Sequence, residues 1–194
     1  MAFRVQLVPM LVLSLVVFYT SHSLLALSTV KEWAARRLAL DRWYRLGYSL
    51  VSTALLAWVV IAYMQASTHA CWSGTRVTVV AGTALILFGV AVSAIAVLRF
   101  GGGSFLGFTP EEQTGLVRSG PHGKVRHPIY SGIIIAAIGW SVLSPTVATF
   151  IVVGITFTYL PIGIHLEERK LIAKHGDAYR HYKAEVPALF PKPW

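Results

Sequence analysis

The sequence predicts an all-α integral membrane protein with five transmembrane helices, the last two a helical hairpin, followed by a cytoplasmic C-terminal helix. Three observations carry this. Of 194 residues, 55% are hydrophobic and only 13% charged, which is too little polar surface for a soluble domain of this size. The apolar residues gather into blocks near the about 20 residues that a helix needs to cross a ~30 Å hydrocarbon core. The basic residues crowd into alternate loops between those blocks.

The first block runs from about Val5 to Leu27. It is longer than the apolar core of a signal peptide, and LLALST offers no A-x-A-like cleavage site, so it is expected to stay in the mature protein. Next comes TVKEWAARRLALDRWYR, about residues 29–45, which mixes apolar and basic residues at near-helical spacing. With Trp33, Trp43 and Tyr44 suited to the headgroup layer, it reads as an interfacial helix. The second and third spans are Leu46 to Ala66 and Val77 to Leu98. The last block, Ile129 to Ile164, is interrupted at Ser144-Pro145. Proline lacks an amide donor and disfavours helix at the residue before it, so this block reads as a tight hairpin of two shorter helices. The second of these is expected to run on into RKLIAKHGDAYRHYK, out of the membrane, and to stop near Gly176 as a C-cap. The chain is thus one membrane domain, 1–194. Residues 1–99 hold three spans, and residues 100–194 form the ligand-binding part.

Five spans place fifteen lysines and arginines, and all eight acidic residues, on one side. Only Arg4 and Arg76 fall on the other. By the positive-inside rule the N-terminus is outside and the C-terminus cytoplasmic. The net charge of +9 then finds its partner in membrane lipids, not in nucleic acid. Cys71 is the only cysteine, which excludes an intrachain disulfide and a cysteine metal site.

Chemistry belongs to the cytoplasmic stretches: FGGGSFLG at Phe100 to Gly107, the loop Thr114 to Tyr130, and His165 to Tyr182. In GKVRHPIYSG, Pro128 suits the first position of a helix, whose missing amide donor costs nothing there. The residues around it present unpaired amides that attract a carboxylate or phosphate. Arg126 is expected to reach lipid phosphates, while His127 and Tyr130 turn inward. Glu167 and Glu168 follow at the end of the fifth span. A carboxylate at that depth is costly unless it meets a polar cavity or a cation, so it marks a site. The hairpin brings His127 and Glu167 together. S-adenosylmethionine and a phospholipid headgroup both supply the anionic and cationic groups such a pocket asks for, and the residues alone leave both open.

The run LVRSGPHGKVRHPIYSG, followed by EERKLIAKHGDAYRHYKAEVPALFP, resembles the isoprenylcysteine carboxyl methyltransferase and phospholipid N-methyltransferase superfamily. That pattern is G-P-Y-x-x-V-R-H-P-x-Y-x-G, then E-E-x-x-L, G-x-x-Y-x-x-Y and V-P. It covers roughly the C-terminal 80 residues. The resemblance implies a multispan helical fold, S-adenosyl-L-methionine bound from the cytoplasm, and a small or lipophilic acceptor arriving through the membrane, here a bacterial inner membrane. Carried over by position, cofactor contacts fall on Thr114, Gly115, Leu116, Val117, His122, His127, Pro128, Ile129 and Tyr130. Glu167 takes the superfamily's cofactor-binding carboxylate, with Glu168 beside it, and no metal is implied. His122 stands where tyrosine is usual. Gly163 stands where prenylcysteine methyltransferases carry an arginine for the substrate, which argues against a prenylcysteine acceptor. The C-terminal part looks closest to bacterial relatives such as methanethiol S-methyltransferases, and HSLLALSTVKEWAARRL looks like the NnrU-type branch.

The implied reaction is in-line transfer of a methyl group from a sulfonium to a sulfur, nitrogen or oxygen nucleophile. Positioning and desolvation supply much of such a rate, and His127 or His122 is the candidate base for a thiol acceptor. Two other readings compete: a non-catalytic NnrU-like membrane factor, and an NADPH enzyme of the sterol-reductase branch. That branch typically has H-P-N-Y where this chain has Ile129.

Overall fold

The computed structural model describes residues 7–38, 41–66, 69–99 and 116–192. Seven α-helices appear among them. They are α1 (Val8–Leu25), α2 (Ser28–Leu38), α3 (Asp41–Gln65), α4 (Arg76–Arg99), α5 (Pro128–Leu143), α6 (Val147–His175) and α7 (Asp177–Glu185), with a 3-10 turn at Gly120–Gly123. The described residues contain no strand, only one isolated bridge between Ala70 and Thr146. Four helices are long and apolar enough to cross a membrane: α1, α3 from Leu46, α4 and α6. At 16 residues, α5 is about 24 Å long, somewhat short of the ~30 Å core. The outward surfaces are apolar, with Met64 73%, Val77 76% and Leu98 75% exposed. Contiguous apolar surface on this scale belongs against lipid, and the chain is an integral membrane protein.

One boundary differs from expectation. The stretch read as one interfacial helix over 29–45 divides: α2 ends at Leu38, and residues from Asp41 onward belong to α3. Extending an existing helix costs less than nucleating another, so the apolar span recruits the turn before it. The second arm of the hairpin runs on past its apolar block, as expected. α6 runs for 29 residues, through Pro161, and its last polar turns project beyond the apolar stretch. It stops where expected, since Gly176 takes φ +56, a conformation costly for other residues.

The chain forms two compact units. The first comprises residues 1–71 and 146–155. Its core is Leu11 and Leu15 of α1, Val59, Ala62 and Ala66 of α3 and near its end, and Ala148 of α6. Thr146 caps α6 by accepting the Thr149 amide at 3.1 Å. Tyr63 Oη meets Thr149 Oγ1 at 3.0 Å.

The second unit comprises residues 72–145 and 156–194. A reciprocal cap starts α4: the Thr78 amide donates to Thr75 Oγ1 at 3.2 Å and the Thr75 amide to Thr78 Oγ1 at 2.8 Å. Glycines two helical turns apart fix the packing of α4 on α5. A Cβ built on Gly82 stands 2.8 Å from the Gly139 carbonyl, and one on Gly139 stands 2.7 Å from the Gly82 carbonyl. Gly89 and Gly132 oppose each other even more closely. Without a hydrophobic drive between helices in lipid, such close backbone approach supplies the packing attraction. Ser93 Oγ then donates to the Ile129 carbonyl at 3.1 Å. The seam sets where the N-terminus of α5 sits against the end of α4, and so places the residues just before Pro128.

Gly132→Ala should lower stability by about 1–3 kcal/mol, because its Cβ meets backbone atoms that cannot yield. Gly154→Ala, where a Cβ finds nothing within 4 Å, should be neutral or stabilising by about 0.5–1 kcal/mol. Thermal unfolding in detergent checks the pair, and equal losses would contradict the seam.

Candidate functional site

The two polar clusters meet in the second unit, on the Glu168 carboxylate. Arg126 donates to its Oε1 from Nε at 2.8 Å, and Nη2 lies 2.6 Å from the same oxygen. Lys183 of α7 donates to Oε2 at 2.6 Å, and His127 Nε2 lies 3.3 Å from Oε1. The Glu168 side chain is 7% exposed and that of Arg126 9%. Desolvating a carboxylate costs several kcal/mol, which a guanidinium on one oxygen and an ammonium on the other can offset. Arg126 is therefore not the lipid-facing residue the sequence suggested. Its guanidinium also donates to the carbonyls of Lys183, at 3.1 Å, and Val186.

Those carbonyls belong to a strap formed by the residues after α7. The Arg126 amide donates to the Pro187 carbonyl and the His127 amide to the Ala188 carbonyl, both at 2.9 Å. Ser131 Oγ donates to the Leu189 carbonyl at 2.6 Å. The amides just before Pro128, expected to bind an anion, are thus taken by the chain's own C-terminal segment. Arg126 and His127 precede a proline and lie outside the helix, so their amides need partners from elsewhere, and the carbonyls of the segment after α7 supply them. Tyr182 Oη donates to the His122 carbonyl at 2.6 Å, tying α7 to the 3-10 turn.

His127 lies between the two glutamates. Its side chain is 3% exposed, with Nε2 towards Glu168 and Nδ1 3.6 Å from Glu167 Oε2. Glu167 is 46% exposed, the less enclosed of the pair. The Tyr130 ring lies 5.6 Å from the His127 ring, and Pro128 is buried beneath. His122 is 8% exposed. Its pKa is held below the ordinary histidine value, by burial first and by His127 next, with Glu167 opposing. Burial, and after it the Glu168 charge, pushes the Tyr179 hydroxyl upward, so it stays protonated. Leu116 and Val117 are partly buried ahead of the turn. Thr114, Gly115 and FGGGSFLG lie outside the described residues.

Sequence reasoning assigned no role to Lys183, Ser131 or the carbonyls of 186–189. The V-P and Y-x-x-Y patterns were visible, but a main-chain acceptor leaves no mark on residue identity.

The family model described as NnrU protein matches residues 10–189. The chain belongs to the NnrU protein family. Among relatives of this NnrU family member, a methanethiol S-methyltransferase of Crocosphaera subtropica is 36% identical over 45% of the chain and 34% of its own length. Methanethiol S-methyltransferase 2 of Bradyrhizobium diazoefficiens is 28% identical over 96% of the chain and 73% of its own length. A protein-S-isoprenylcysteine O-methyltransferase of Schizosaccharomyces pombe is 34% identical over 39% of the chain and 33% of its own length. The chain therefore spans about a third of the first of these curated relatives. No solved structure gives a significant match.

In this NnrU family member, Arg126→Ala should cost about 3 kcal/mol, the low end for breaking a buried pair, because Lys183 stays on the other oxygen. Lys183→Met, losing a half-exposed partner, should cost about 1 kcal/mol or less. Denaturation midpoints give the order, and a larger loss for Lys183 would contradict it. Because the folded state lowers the His122 pKa, the unfolded chain binds its proton first. Stability should fall as pH drops below about 6.5. His122→Gln should flatten that slope in a pH series of thermal midpoints.

Proposed function

We propose that the chain is an S-adenosylmethionine-dependent membrane methyltransferase acting on a small or lipophilic sulfur, nitrogen or oxygen nucleophile reached through the membrane. One observation carries the reading: R-H-P and E-E, 40 residues apart in sequence, converge so that His127 lies between Glu167 and Glu168. The superfamily pattern assigns the cofactor to these same residues, and relatives named for methanethiol S-methylation and isoprenylcysteine O-methylation support methyl transfer. In this reading α5 is a fifth span, and the site and α7 face the cytoplasm.

The residues present suit the cofactor. Glu167, 46% exposed, is the carboxylate accessible to a cation or to hydroxyls, Tyr130 and His122 offer rings for an adenine, and the superfamily pattern adds Leu116, Val117, Pro128 and Ile129 to the contacts. S-adenosylmethionine, when bound, supplies a methyl group already activated by its sulfonium. The protein's share is then to hold donor and acceptor in line and to exclude water. We assign His127 to ligand binding, with its Nδ1 beside the half-exposed Glu167 carboxylate.

Gly163 bears on the acceptor. The Tyr159 ring covers it, with Cε1 3.3 Å from where a Cβ would stand. An aromatic wall thus occupies the place of the arginine that serves a prenylcysteine carboxylate. This favours an uncharged acceptor, such as a small thiol.

Thermal shifts in detergent with S-adenosylmethionine, S-adenosylhomocysteine and NADPH test the reading. Both sulfur compounds should stabilise the protein and NADPH should not. A shift with NADPH alone would support the reductase branch, and no shift with any of them a non-catalytic factor. Glu167→Gln should keep the fold and weaken S-adenosylhomocysteine binding about 10- to 100-fold, the worth of one charge-assisted hydrogen bond.

A further inference from the structure

The two glutamates stand in different relations to the imidazole between them. Arg126 and Lys183 both pair with Glu168, so its carboxylate is ionised and can only accept hydrogen bonds. A His127 Nε2 at 3.3 Å from Oε1 must then carry the proton. In the neutral ring Nδ1 is left with a lone pair, and it faces Glu167 Oε2 across 3.6 Å. That is too long for a hydrogen bond and offers two acceptors with no donor between them.

We propose that Glu168 is a positioning residue that holds His127 as its Nε2–H tautomer, making Nδ1 and Glu167 Oε2 a paired-acceptor seat for a ligand's primary ammonium. A nitrogen about 2.9 Å from each atom would sit to one side of the line that joins them, since 3.6 Å is shorter than twice that distance. An ammonium brings donors for both and a positive charge for Glu167. The strap holds the histidine backbone, through the His127 amide on Ala188 and through Ser131 Oγ, which donates to Leu189 and lies 3.2 Å from the His127 carbonyl. Arg126 and Lys183 keep Glu168 charged and in place. Identifying the ammonium as that of S-adenosylmethionine rests on the methyltransferase reading, but the tautomer does not.

The test is nitrogen NMR of the full chain, labelled in its histidines, in detergent at neutral pH, with His127 signals assigned by their loss in His127→Gln. The wild type should show a protonated Nε2 and a bare Nδ1. S-adenosylhomocysteine should move the Nδ1 signal more than Nε2. Its analogue lacking the amino group should bind about tenfold more weakly, the worth of one charge-assisted contact, and leave Nδ1 unmoved. Glu168→Gln, whose amide presents either oxygen or nitrogen to the ring, should mix the tautomers and weaken S-adenosylhomocysteine about tenfold. A wild-type ring protonated at Nδ1, alone or on both nitrogens, overturns the proposal. So does an unchanged tautomer in a folded Glu168→Gln. Where that variant does not fold, the wild-type ring and the desamino analogue decide. A Glu168-dependent Nε2–H tautomer without S-adenosylhomocysteine binding would uphold the positioning role and remove the methyltransferase reading.

Discussion

The buried ion pair between Arg126 and Glu168 is the interaction on which the rest of the second unit depends. It joins the loop before α5 to a turn of α6, and Lys183 brings α7 to the same carboxylate. The same guanidinium also reaches the carbonyls of Lys183 and Val186, so one side chain anchors the strap as well. A buried ion pair adds little net stability, since desolvation cancels much of the attraction. Its effect here is on geometry. Each of its partners has nowhere else to satisfy its charge, so loop, helix and tail have one arrangement that leaves no buried charge alone.

That arrangement needs a fixed platform, which the glycine seam supplies. Gly82 with Gly139 and Gly89 with Gly132 hold α4 and α5 at backbone contact, so α5 cannot slide without driving a carbonyl into a neighbouring backbone. Ser93 Oγ on the Ile129 carbonyl locks the last step next to Pro128. His127 thus gains its position twice, from α5 on one side and from Glu168 on the other. Loss of either support moves the imidazole.

Much of this was legible in the sequence. Apolar block length and Ser144-Pro145 gave the order of helices, and Gly176 gave the end of α6, because hydropathy and backbone stiffness are local properties. The convergence of His127 with Glu167 followed from the hairpin alone. Arg126 was misjudged for a physical reason: an arginine at a helix mouth snorkels or pairs, and which one occurs depends on a partner 42 residues away. The strap was invisible because its functional atoms are carbonyls, which every residue has. The seam left a trace in the seven-residue spacing of Gly82 and Gly89 and of Gly132 and Gly139. Glycine is common enough in membrane helices that the spacing gains meaning only once the two helices are known to be neighbours.

The adjacency of Glu167 and Glu168 is itself informative. Consecutive residues on a helix point about 100° apart, so two glutamates in sequence cannot serve one pocket in the same way. On α6 the second turns inward to Arg126 and Lys183, and the first stays half-exposed beside His127. Exchanging their roles would require rotating α6 by that same angle, which would pull Glu168 from its cations and leave Arg126 buried without an anion. The ion pair therefore fixes the rotation of the helix, and through it the direction in which Glu167 faces. The residue that most constrains the orientation of Glu167 is its own neighbour in the chain.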